Sequence, residues 1–297
     1  MSLDVTIRQR MFGNKPLPLE VILGDQLSYG DYRNDCLREN VLGETEFVAY
    51  DAAHIGRGFS VVWNPAEKEQ VYLRLLHPTS EAELDAFYKA VRRIAEYWGG
   101  SLTVDGKRTS LKSFLSTFED SVQFNRDAAK QFFVEDILSG KSEIMTLYSA
   151  KWPLFVGHKE AEMFAANPRY FETWMHEKQA VSARYGAMRL YCVNGEYIGI
   201  FDCEAGYPYI FPDSPRVPYG ITNGNTGSAL KSEEIQWIIW LDDYDSDGLL
   251  ELPYASFVER IPEAKKSYYD AGQFLLEPLS EEEIRAMTFD AKPAKYE

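Results

Sequence analysis

The chain has 297 residues, enough for one large domain or two small ones, and its 45% hydrophobic and 26% charged content is that of a globular protein. A net charge of −15 repels phosphate backbones and anionic lipid headgroups, and no run of Lys and Arg offsets it, so neither nucleic acid nor a membrane is expected as partner. No stretch approaches the roughly 20 apolar residues of a membrane span. Cys36, Cys192 and Cys203 form no spaced framework, which reads as reduced thiols in a cytoplasm.

The chain opens with Leu3, Val5 and Ile7 alternating with polar residues, the period of a strand rather than the apolar core of a signal peptide. Strands are predicted at 3–8, 19–23 and 46–50, with a polar loop over 24–43. The clearest unit spans 58–107. A strand over 59–63 and a second over 71–76 pair across a polar turn. Ser80 with Glu83 reads as a capping box opening a helix. Leu84, Phe87, Tyr88, Val91, Ile94, Ala95 and Trp98 then recur at helical spacing until Gly99-Gly100 ends it. A strand over 102–104 and an Asp105-Gly106 turn follow.

Beyond it, helices are expected at 110–118, at 125–138 with Asn125 as cap and Gly140 as stop, at 159–165, and from Asn167-Pro168 onward. A strand is expected at 143–148. Asn194-Gly195 marks a two-residue hairpin turn that sets Val193 opposite Glu196 and Cys192 opposite Tyr197. The segment 207–227, with its Pro, Asn and Gly residues, reads as a long irregular loop. A buried strand at 235–241, a short helix at 253–261, a last short apolar piece at 274–276 and a helix opened by Ser280 and Glu283 complete the chain, with 292–297 as a frayed tail. The fold class is α+β: small, mostly antiparallel sheets covered by amphipathic helices around the strand-strand-helix-strand unit. A break near Gly140 divides the chain into α+β parts over 1–140 and 141–297, one continuous domain being the alternative.

The sharpest chemical motif is Asp243-Tyr244-Asp245-Ser246-Asp247-Gly248, followed by Glu251. Carboxylates at alternate positions with Gly in sixth place are the front half of a calcium loop. The twelfth position is Tyr254, which cannot supply the bidentate carboxylate, and a strand precedes the loop, so a standard EF-hand is excluded. A strand–loop–helix calcium site through Asp243, Asp245, Asp247 and Glu251 is one reading, an acidic solvated turn the other. His54, His77, His158 and His176 form no HExxH, and GxSxG, CxxC and phosphate-loop motifs are absent. Gly56-Arg57-Gly58 can hold an anion, but with no third Gly and no following helix it is no dinucleotide fingerprint, and a flexible corner is the simpler reading.

The segments SLDVTIRQ, LPLEVILGDQLSYG, AHIGRGFSVVWNP, LRLLHPTSEAELDAFY and TLYSAKWPL resemble an uncharacterised bacterial family, domain of unknown function 4299, over most of the chain. The resemblance implies a bacterial, cytoplasmic setting and carries no activity to transfer; the acidic loop is not among the segments that support it. Three functional readings follow. The first is a non-enzymatic interaction or regulatory protein whose partner is another protein. The second is an enzyme with a site at the 51–58 loop, using Asp51, His54 and Arg57. The third is a calcium-stabilised structural domain.

Overall fold

The computed structural model describes residues 1–10, 15–64, 69–217, 221–222, 228–246 and 248–294. The chain divides into two compact units, Met1–Ala180 and Val181–Glu297. Gly140 lies inside the first, ending a helix with φ +74°.

The first unit begins with β1 (Ser2–Arg8), α1 (Leu19–Leu23), β2 (Leu27–Arg33), β3 (Cys36–Glu39), β4 (Glu46–Asp51), β5 (Phe59–Val62) and β6 (Gln70–Leu76). It continues with α2 (Glu81–Trp98), β7 (Ser101–Val104), β8 (Lys107–Thr109), α3 (Leu111–Leu115) and α4 (Phe118–Ala129). A π-helical turn (Lys130–Glu135), α5 (Asp136–Leu138), β9 (Met145–Leu147), β10 (Leu154–Val156), α6 (His158–Ala166) and α7 (Tyr170–Gln179) complete it. The strands β3-β2-β4-β5-β6-β1-β7-β8 form one antiparallel sheet. Alternate residues Val5, Ile7, Phe59, Val61, Leu73 and Leu75 point to one face and are buried. There they meet Leu84, Phe87, Val91 and Ile94 of α2, with the Phe59 and Phe87 rings edge to face at 5.3 Å. Each such side chain contributes about 1.5–3 kcal/mol on burial.

The second unit runs β11 (Arg184–Tyr185), β12 (Arg189–Val193), β13 (Glu196–Cys203), β14 (Tyr209–Pro212), β15 (Ile235–Asp243), β16 (Gly248–Pro253) and α8 (Tyr254–Arg260). It closes with β17 (Lys266–Asp270), β18 (Gln273–Leu276), α9 (Glu281–Met287) and β19 (Lys292–Pro293). Two sheets, β11-β14-β18-β17 and β12-β13-β15-β16-β19, contribute to one apolar cluster that includes Phe201, Phe211, Ile239, Phe257 and Phe274. Only β11/β14 and β13/β15 pair in parallel among the described strands. The α+β class holds for both units. Among the described residues no helix is long and apolar enough to cross a membrane.

The strands and helix of the expected central unit form, including the left-handed cap at Gly99 and the Asp105-Gly106 turn, both positions at positive φ, while of its capping box only the Ser80 half is made. So do the Asn194-Gly195 turn, with Val193 opposite Glu196 and Cys192 opposite Tyr197, and the Ser280/Glu283 capping box. Several expectations are corrected. Residues 19–23 are helical, since Pro18 stands at the N-cap and the Gly24 N–H closes onto Glu20 O. The polar segment 24–43 contains the β2–β3 hairpin, its turn made by Asn34 and Asp35, both at positive φ and both residues that tolerate it. Asn125 is no cap: it lies inside α4, buried. Lys292-Pro293 pairs with Leu250 and Glu251 rather than fraying. Within 207–227, β14 is regular; residues 218–220 and 223–227 lie outside the described residues.

Candidate functional site

The β4–β5 loop carries the sequence-predicted catalytic candidates, and it sends them in different directions. The Asp51 carboxylate accepts the Ala53 N–H at 2.9 Å and stands 3.4 Å from His54 Nδ1, on a turn where the His54 side chain is 68% exposed. Arg57 turns inward instead. Its Nε donates to Tyr148 O at 2.8 Å, and its Nη1 to His77 O at 3.1 Å and Pro78 O at 3.4 Å. Burial pushes its guanidinium down to about 10.

The anion held by Gly56-Arg57-Gly58 is the protein's own. Glu83, fully buried in the first turn of α2, accepts the Arg57 N–H on Oε2 at 2.8 Å and the Gly58 N–H on Oε1 at 2.5 Å, and Thr79 donates its hydroxyl to Oε2. The capping box is therefore half made. Ser80 Oγ takes the Glu83 N–H at 3.1 Å, while the Glu83 carboxylate leaves the helix end for the loop. Glycine is required at 56 because a Cβ there would lie 2.7 Å from Glu83 Oε2. Burial pushes the Glu83 carboxyl up, against the pull of its hydrogen bonds. The corner read as flexible is a locked joint.

Asn125 fastens α4 to the same joint. Its Oδ1 accepts the Thr79 N–H at 2.8 Å and its Nδ2 donates to Thr79 O at 2.7 Å. His77 Nδ1 lies 3.0 Å from the same Oδ1, so it must be the donor. Burial lowers the His77 pKa, favouring the neutral ring with its proton on Nδ1.

Against this joint opens a cleft of about 450 Å³. Its floor is Phe133, Phe164 and Phe171, whose rings meet at 5.1 and 5.4 Å around Phe171. The π-helical turn, which joins α4 to α5 and packs against α6, supplies Phe133. Such turns often mark functional positions. At the rim, Arg126 bonds Glu81 at 2.6 Å. Glu172, half-buried, accepts the Glu81 N–H, and burial and the Glu81 charge push its carboxyl up. Arg169, at the N-cap of α7, is exposed and has no ion-pair or hydrogen-bond partner for its side chain among the described residues. A second cavity, of about 350 Å³, borders Arg57 and Arg74. Three of its charged groups are engaged: Arg57 with backbone carbonyls, Arg74 with Asp4 at 2.7 Å, and Asp31 with Arg33 at 2.9 Å and with Arg38.

The acidic motif closes the β15–β16 hairpin, a strand–turn–strand rather than a strand–loop–helix, since α8 begins only at Tyr254. Asp243 accepts the Asp245 N–H at 3.0 Å and the Ser246 hydroxyl at 2.7 Å, and Asp245 pairs with Arg285 at 3.2 Å. Glu251 faces Trp240, three ladder positions from the Asp243–Gly248 pair, about 10 Å along the strands. Asp247 lies outside the described residues. Among the described residues no group of three or more His, Cys, Asp or Glu is arranged to hold a metal ion. His176 Nδ1 accepts the Ile55 N–H at 3.1 Å, and His158 lies 3.4 Å from Glu162.

Sequence reasoning passed over Glu83, Asn125, Arg169 and Glu172 as site residues. Glu83 and Asn125 carried local cap patterns that explained them away; Arg169 and Glu172 carried no pattern at all. Together these features define an α+β protein with a ligand-sized cleft in its N-terminal unit. The chain belongs to the family described as Domain of unknown function (DUF4299), whose model matches residues 2–287. Comparison with curated proteins and with solved structures gave no match.

Proposed function

We propose that this is a non-enzymatic binding protein whose N-terminal unit takes a small amphipathic molecule into the cleft beside α7. The observation that carries the reading is the cleft's composition: a floor of Phe133, Phe164 and Phe171 with Glu172 and the exposed Arg169 at its edge. Its volume of about 450 Å³ falls in the range of small-molecule sites, and mostly apolar walls with a few polar groups are their usual make-up. The fused joint of Glu83, Arg57 and Asn125 behind it supplies a rigid wall. Asp51 and His54 stand on an exposed turn and Arg57 is spent on carbonyls, so the 51–58 loop supports the fold in this reading rather than a reaction. Unpaired Cys36, Cys192 and Cys203 suit a reducing bacterial cytoplasm.

The test is titration with anilinonaphthalene sulfonate, an aromatic anion that fluoresces when its ring leaves water. Wild-type protein is expected to bind one probe per chain in the cleft. Ala165 lines the cleft and is exposed, so Ala165→Trp fills the space without entering the core. The variant should melt as wild type does and lose the fluorescence. Equal fluorescence in a folded Ala165→Trp protein would overturn the reading.

A further inference from the structure

We infer that the cleft's ligand is a free α-amino acid with an apolar side chain. This rests on the binding reading above and goes on to name the ligand class. Arg169 and Glu172 are three residues apart where α7 begins, so their side chains rise on one face, with Cβ atoms about 5–6 Å apart. One is a cation with no partner among the described residues; the other is a carboxylate whose recorded partner is a backbone N–H. Arg126, the next cation on the rim, is held by Glu81. Lys130 lies 3.4 Å from Glu135.

Asp127, also on the rim, accepts the Gln123 amide at 3.0 Å, so the two charges that stand side by side over the aromatic floor are one of each sign, Arg169 and Glu172. A zwitterion carrying both charges on a single carbon satisfies the pair, and its side chain enters the space over Phe133, Phe164 and Phe171. A simple amine leaves Arg169 unmet, and a simple carboxylate leaves Glu172 unmet. Each single-charge analogue forgoes one charge-assisted hydrogen bond at the rim. A peptide terminus presents only one of the two charges at its end residue, so the site selects the free amino acid.

The experiment is calorimetric titration of the full chain with L-phenylalanine and L-leucine, against phenethylamine, 3-phenylpropionate and phenylalaninamide. The expected result is one site per chain for an amino acid, with each single-charge analogue at least about tenfold weaker. Arg169→Gln should bind L-phenylalanine and phenethylamine alike, and Glu172→Gln should bind L-phenylalanine and 3-phenylpropionate alike. Both residues sit at the rim, and thermal melts verify folding. Three results overturn the inference: analogues that bind as well as the amino acids, variants that keep wild-type discrimination, or no amino-acid binding at all. If the amino acids fail while anilinonaphthalene sulfonate binding still responds to Ala165→Trp, the ligand class is wrong and the cleft stands. If the probe also ignores Ala165→Trp, the cleft falls with it.

Discussion

Glu83 shows how one residue can serve two structures. Its N–H belongs to the cap of α2, and its carboxylate belongs to the loop between β4 and β5. Each carboxylate oxygen accepts a backbone N–H, so neither position tolerates a donor. Glu83→Gln keeps the shape but turns an –NH₂ toward the Arg57 or Gly58 N–H, and is expected to destabilise the protein by about 1–3 kcal/mol. Chemical denaturation measures this, and a loss smaller than that range would mean that the carboxyl is already protonated and donating. Glu172 is pushed up by burial as Glu83 is, but it accepts a single backbone N–H rather than two. Burial and the Glu81 charge push its carboxyl up, with the Glu81 N–H, Arg126 and His54 pulling the other way. The folded state therefore holds the proton more tightly than the unfolded chain does. Stability falls as pH rises from the ordinary glutamate value of about 4.3 through the raised folded value. Glu172→Gln is neutral throughout and escapes that loss. It should melt above wild type at neutral pH and together with it well below the ordinary carboxyl range. A lower midpoint at neutral pH would mean that Arg126 and the Glu81 N–H outweigh burial. Higher stability with lost binding is what a site kept strained for its ligand predicts.

Among the elements, those legible in the sequence have boundaries written locally. The helix α2 carries its stripe, its Ser80 cap and its Gly99 stop within itself, and the β12–β13 hairpin carries its turn in Asn194-Gly195. The misread elements are decided elsewhere. Asn125 has the chemistry of a cap, yet α4 begins at Phe118 and uses Asn125 to grip Thr79, 46 residues earlier. The β2–β3 turn uses Asn34-Asp35, a weaker turn pair than Asn-Gly, and so passed as loop. Five residues at 19–23 are too few to separate the strand period from the helix period, and Pro18 decided between them. The π-helical turn has no sequence mark here, although it delivers Phe133 to the cleft. The same division explains the site. Gly56-Arg57-Gly58 was visible as an anion-holding corner, but its anion sits 25 residues away on α2, and nothing local names it. In the acidic hairpin the local pattern was vivid. There Asp243 has the turn's own N–H and hydroxyl groups to satisfy, a role that a calcium-loop motif shares with any acidic turn.

At the scale of the molecule, the family match from 2 to 287 spans both compact units, so they occur together as one family unit. The cleft, however, is lined by residues of Met1–Ala180 alone. Its walls rest on α2, α4, α6 and α7, and one apolar cluster of that unit gathers residues from Val5 to Val122. The cluster around Phe211 and Phe257 gathers residues from Met188 to Met287. A unit with its own buried cluster and its own sheet meets the physical requirements for folding by itself. The fragment Met1–Ala180 is therefore expected to unfold in one cooperative transition and to bind L-phenylalanine with the affinity of the full chain. Circular dichroism and calorimetry read the two properties separately. A folded fragment that fails to bind would mean that Val181–Glu297 completes the site, and would move the search for the ligand's remaining contacts to that unit. A fragment that binds equally assigns recognition to the first unit. Equal affinity also means that no coupling free energy links the cleft to Val181–Glu297, so hydrogen exchange of that unit in the full chain should be the same with and without L-phenylalanine.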